Sequence, residues 1–119
     1  MNAIYDLEER TLEFSRRILK LCKSLPRNII NEKLVDQIIR SGTSVGANYI
    51  EANEKLGKKD FSHRIKISRK ECKETTYWLN LIIESNPEFQ ERMGLLVQES
   101  IELRKIFSAI LDKSDKEKI

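Results

Sequence analysis

The chain has 119 residues, of which 39% are hydrophobic and 34% charged, with a formal net charge of +3; that fits one domain around a single core. Four Gly, two Pro and charges of both signs exclude a linker-like or disordered composition, and no apolar run reaches the length of a membrane span. The first residues lack a basic region followed by a hydrophobic one, so no signal peptide is expected and the expected compartment is the cytoplasm.

Four segments then repeat apolar or small residues at alternating steps of three and four. The first reads Ile4, Leu7, Thr11, Phe14, Ile18, Leu21, Leu25, and the second Leu34, Ile38, Ser41, Val45, Asn48, Ala52. The third reads Phe61, Ile65, Ser68, Cys72, Thr75, Leu79, Ile82, and the fourth Phe89, Met93, Leu96, Ser100, Leu103, Phe107, Ile110. This spacing keeps one stripe of a helix against a partner, and no segment alternates with the period of a strand. Helices are predicted near residues 5–25, 31–55, 60–85 and 87–112, with a charged, frayed tail over 113–119. The fold class is all-α.

The punctuation agrees. Pro26 closes the first helix and Asn31 is the expected cap of the second. Gly57 separates the second from the third, whose expected cap is Asp60. Asn86 is expected to cap the fourth, with Pro87 at its first position. Long helices joined by short loops run antiparallel, which gives an up-down-up-down four-helix bundle. Apolar residues also spill outside the four stripes: Val35 and Ile39, then Tyr77, Trp78 and Ile83, then Leu95, Val97, Ile101 and Ile106. A lone bundle needs only a narrow apolar stripe, so this surplus predicts self-association.

Within the second helix, Arg40-Ser-Gly-Thr-Ser-Val-Gly-Ala-Asn48 is rich in poor helix formers. Two interior glycines cost about 1 kcal/mol each relative to alanine, so something must offset them. Gly42 and Gly46 share a face where another helix can approach closely. A phosphate loop is excluded, because neither the lysine nor the preceding strand is present. If helices 2 and 3 turn back near Gly57, Arg40 falls level with Glu74, Asn48 with Ser68, and Glu51 with Arg64 or His63. Arg40 is then expected to clamp Glu74 or Glu71, and Asn48 with Ser68 to fix register as a polar pair.

The run Arg40-Ser41, Ser44-Val45, Ala47-Asn48-Tyr49-Ile50-Glu51-Ala52-Asn53, followed by Lys58-Lys59-Asp60-Phe61, Lys70-Glu71-Cys72-Lys73-Glu74-Thr75 and Trp78-Leu79, resembles the four-helix-bundle proteins encoded in 23S rRNA intervening sequences. A related branch is the accessory variability determinant of diversity-generating retroelements. The resemblance implies a homopentamer of bundles packed side by side into a barrel, and nucleic-acid binding through basic surface. It also implies structural duty for Arg40, Ser41, Ser44, Asn48, Glu51, Glu71 and Glu74.

Charge is concentrated in one place. Between Lys58 and Lys73 stand Lys58, Lys59, Arg64, Lys66, Arg69, Lys70 and Lys73 against Asp60 and Glu71, a local net of +5 in a chain of +3. Lys59, Lys66, Lys70 and Lys73 share one helical stripe opposite Phe61, Ile65, Ser68 and Cys72. Such a stripe neutralises phosphates and releases counterions, without reading bases. The expected function is therefore binding of RNA or DNA backbone by a non-enzymatic oligomer. The alternative is a protein-docking scaffold with a partner such as a reverse transcriptase and no direct nucleic-acid contact. No cofactor or metal is expected: Cys22 and Cys72 have no CxxC spacing, and His63 is the single histidine. His63 beside Glu51 is a poor acid–base pair, since a lone histidine near a helix start is more often incidental.

Overall fold

Each apolar stripe becomes a helix. The computed structural model describes the backbone of residues 3–116 and the side chains of residues 7–116. The helices are α1 (Ala3–Ser24), α2 (Ile29–Ala52), α3 (Lys58–Ser85) and α4 (Gln90–Lys116), the last preceded by a 3-10 turn at Pro87–Phe89. The side chain of Ile4 and residues 117–119 of the expected tail lie outside the described residues. Helix α4 runs four residues past the predicted end, through Lys116, so the part of the tail that is described is helical.

The helices form an antiparallel bundle measuring 51 × 23 × 22 Å. The long dimension suits helices of 22 to 28 residues, which span roughly 33–42 Å at 1.5 Å per residue. Cross-helix contacts fix the register. Ser15 Oγ donates to the Gly42 carbonyl at 3.4 Å, Ser68 Oγ to the Val45 carbonyl at 2.8 Å, and Thr76 and Ser100 share a hydroxyl hydrogen bond at 2.7 Å. Arg10 closes the ring of helices with a two-pronged bond to Glu99 at 2.7 and 2.8 Å and a third to Glu102 at 3.0 Å.

The buried residues follow the predicted stripes, except that Leu34 and Phe61 are only half-buried, with Ser62 buried beside Phe61, and that two positions further along α2 and α4 slip. In α2 the inward position after Val45 is Tyr49, with Asn48 half-buried on the flank. In α4 the buried residue after Phe107 is Leu111, with Ile110 on the flank. Both slips run forward by one residue, as they must when a helix of 3.6 residues per turn outpaces a repeat of 3.5. Tyr49 thereby meets Phe107 across the core, with ring centroids 5.9 Å apart.

Much of the surplus apolar surface is absorbed within the bundle. Val35, Trp78, Ile83, Val97 and Ile106 are partly buried against the core, whereas Tyr77 and Leu95 stay exposed. Other large apolar side chains left in solvent include Leu12, Leu19, Ile29, Ile30, Ile50 and Leu56.

The predicted caps are corrected at three places. Asn28, not Asn31, caps α2: its backbone is extended and its side chain accepts from the Asn31 amide at 2.8 Å. The helix begins before its apolar stripe does, which leaves Asn31 one turn inside and buried. Asp60 does not cap α3, because the helix already begins at Lys58 after Gly57. Gly57 has φ of 121°, a conformation that favours glycine, and it supplies no side-chain cap. The Asn86 side chain makes no capping bond to the turn that follows, although its carbonyl accepts from the Phe89 N–H at 2.9 Å; its side-chain amide points inward instead. Pro87 does hold the first position of that turn.

Candidate nucleic-acid interface

The α2/α3 seam is polar and satisfied from within over most of its length, while Asp60 Oδ2, Ser62 Oγ and Arg64 Nε near the start of α3 are buried without a hydrogen bond among the described residues. Arg40 donates to Glu71 at 3.2 Å and also pairs with Glu74, so both expected clamps form at once. Thr75 Oγ1 reaches Ser41 Oγ at 2.9 Å, and Ser44 Oγ donates to the Arg40 carbonyl at 2.6 Å. Asn48 and Ser68 do not pair with each other. Ser68 serves the Val45 carbonyl, while Asn48 donates to the Ser44 carbonyl at 2.9 Å and accepts from Arg64 at 3.3 Å. The forward slip of the α2 stripe is the reason, since it turns Asn48 away from the level of Ser68. Glu51 is exposed and forms no ion pair among the described residues, and His63 is exposed as well. No hydrogen bond joins Glu51 to either His63 or Arg64 among those residues.

Two glycines make the α1/α2 approach possible. A Cβ at Gly42 would stand 3.0 Å from Ile18 Cγ1, and one at Gly46 would stand 3.0 Å from Thr11 Oγ1. Both neighbours are fully buried. The glycine-containing run is thus a packing surface for α1.

Apart from Arg69, which faces α4, the basic residues between Lys58 and Lys73 separate into three groups. Lys59, Lys66, Lys70 and Lys73 are exposed on the outer face of α3, away from buried Ile65, Ser68 and Cys72. Lys58 lies at the end of the bundle, where it lines an apolar cleft of about 780 Å³ together with Lys55 and Lys113. Arg64 turns toward α2, bound to Asn48 and 3.8 Å from Asp60 Oδ1. Arg64 therefore belongs to the interhelical seam and not to the outward stripe.

Helix α4 contributes what the sequence reading missed. Lys66, Arg69, Lys70 and Lys73 line a groove of about 700 Å³ with Arg104 and Lys105 on the facing helix. Among the described residues, Asp112 is the single acid along it. None of these six cations enters an ion pair among the described residues, whereas Arg10, Arg16 and Arg40 are all paired with carboxylates. Folding the α3/α4 hairpin at Asn86-Pro87 places Arg104 and Lys105 level with Arg69 and Lys73, and that was the available signal. A groove with six cations and one carboxylate attracts polyanions and offers no fixed donor pattern for reading bases.

Burial pushes the Cys22 thiol up to about 11 and the Cys72 thiol up to about 12, so neither supplies a thiolate nucleophile near neutral pH. Among the described residues no group of three His, Cys, Asp or Glu side chains is placed to hold a metal ion, and no helix is long and apolar enough to cross a membrane.

Fold and groove together define an all-α, four-helix protein with a basic seam that its own carboxylates do not neutralise. A family model of 23S rRNA-intervening sequence proteins matches residues 5–109. The chain belongs to that family. It is similar in structure to a protein of unknown function from the S23 ribosomal protein family of Bacteroides thetaiotaomicron VPI-5482, with 34% identity and a TM-score of 0.79. That similarity covers 92% of this chain and 97% of the other. No curated protein matches.

Proposed function

We propose that this protein is a non-enzymatic, cytoplasmic homo-oligomer, a pentamer, that binds the backbone of RNA or DNA through the α3/α4 basic groove. The observation that carries the reading is the unpaired set Lys66, Arg69, Lys70, Lys73, Arg104 and Lys105 along one groove. Lys59 extends the same face toward the start of α3. Unpaired cations held on two packed helices retain their full charge for phosphate, and several copies in a ring would add their potentials. Self-association is supported by apolar side chains that the bundle does not cover, among them Leu12, Leu19, Ile50 and Leu95.

A second reading, a protein-docking scaffold without nucleic-acid contact, is favoured by exposed Ile29 and Ile30 at one end of the bundle and Leu56 at the other. Retention on structured RNA separates the two. The first reading expects retention at about 50 mM salt that falls steeply by about 200 mM, as for several phosphate contacts. Absence of retention at low salt overturns it in favour of the scaffold.

A further inference from the structure

Tyr77 continues the lysine stripe. It follows Lys73 by one helical turn and Lys70 by two, on the face that points away from the core, and it is 60% exposed. A large ring left in solvent at the end of a cationic track asks for an explanation, because nothing in the bundle uses it. Its hydroxyl makes no hydrogen bond among the described residues.

The ring is nevertheless held. Trp78 packs edge-on against it, with centroids 5.1 Å apart and planes at 76°. The indole N–H of Trp78 donates to Glu74 Oε2 at 3.0 Å, and Glu74 is paired with Arg40. A chain of fixed groups therefore runs from the α2/α3 clamp out to the surface aromatic. Tyr77 is braced on one side by Trp78 while most of the ring stays open to solvent, so little freedom remains to be lost when a flat ligand stacks on it.

We propose that Tyr77 is a stacking platform for an unpaired base, which makes single-stranded nucleic acid, and not duplex, the preferred ligand of this face; the inference rests on the nucleic-acid reading above. Bases inside a duplex are already stacked and cannot reach the ring, whereas a single strand running along α3 presents phosphates to the lysines and a base to the tyrosine. Lys59 to Tyr77 spans about 27 Å of helix at 1.5 Å per residue, a track for several nucleotides. Stacking is indifferent to base identity, which agrees with a groove that carries no base-reading pattern.

The test uses the full chain with fluorescently labelled oligouridine and a blunt duplex of equal length, titrated at low salt. Wild type is expected to bind the single strand more tightly. Tyr77→Ala should weaken single-strand binding about five- to hundred-fold, as loss of one base stack does, and leave duplex binding within about twofold. Tyr77→Phe should keep wild-type affinity, because the ring face and not the hydroxyl is used. The proposal is overturned if Tyr77→Ala weakens both ligands equally, weakens neither, or changes the mass of the assembly, the last placing Tyr77 in a contact between copies. Failure of wild type to bind either ligand instead overturns the broader nucleic-acid reading.

Discussion

Asn31 and Asn86 exchange side-chain amide hydrogen bonds at 3.0 and 2.9 Å, although 55 positions separate them in the chain. Both are buried. Each amide also serves a backbone carbonyl, that of Pro26 for Asn31 and that of Ile82 for Asn86, at 2.8 and 2.9 Å. The pair ties the α1–α2 connection to the α3–α4 connection at one end of the bundle, so two loops share one polar lock.

Breaking half of that lock should be worse than removing it. Asn86→Ala leaves the buried Asn31 Oδ1 without a partner, and should lower stability by about 1–3 kcal/mol in chemical denaturation. Replacing both with leucine should cost less than the two single leucine changes combined. A double-mutant cycle showing simple additivity would mean that the two amides do not act together.

Arg40→Ala should destabilise the bundle by about 1–3 kcal/mol, because it strands the buried Glu71 carboxylate. The Arg40 side chain is 49% exposed, and this keeps the figure below that of a fully buried pair. Arg40→Lys keeps the charge but not the fork that reaches two carboxylates, so its loss should be intermediate. Thermal melts give the order. An Arg40→Ala protein that melts as wild type does but no longer binds RNA would move Arg40 from structure to function.

The glycines of the chain should divide by environment. Gly42→Ala and Gly46→Ala gain helix propensity but press a methyl group against buried Ile18 and Thr11. Overpacking of about 1–3 kcal/mol should outweigh a propensity gain of about 1 kcal/mol. A methyl group at Gly94 would meet nothing within 4 Å, so Gly94→Ala should raise stability by about 0.5–1 kcal/mol. Equal effects at all three sites would show that the α1/α2 approach is looser than the packing implies.

Charge reversal of Lys59, Lys66, Lys70 and Lys73 to glutamate should leave folding and assembly intact, since exposed charges contribute little individually. Binding to RNA and to duplex should both disappear in gel-shift titrations. Adding Arg104→Glu and Lys105→Glu to wild type, without touching α3, should by itself produce a partial loss. Light scattering of wild type should give a mass several times 14.0 kDa; a monomer at micromolar concentration contradicts the oligomer.

Helix number, order and most inward positions were legible in the sequence because burial of one stripe per helix is a local, periodic demand. Phe14, Ile18, Ile65, Leu79 and Leu103 are buried where their spacing put them. The Arg40 clamp was legible too, since a short loop fixes which residues of α2 and α3 stand level. What the spacing leaves free is rotation about each helix axis, by the fraction of a turn that separates Asn48 from Tyr49 or Ile110 from Leu111. Only packing against the neighbouring helices settles that angle, and with it the partners of Asn48, Ser68 and Arg64. The caps depend on where the chain leaves extended backbone, which decided for Asn28 over Asn31 and against Asp60. The basic groove was half legible: a stripe on α3 is a property of one helix, but its completion by Arg104 and Lys105 requires α4 to lie beside it in one particular rotation. Charges so distant in sequence become one field only when the hairpin closes.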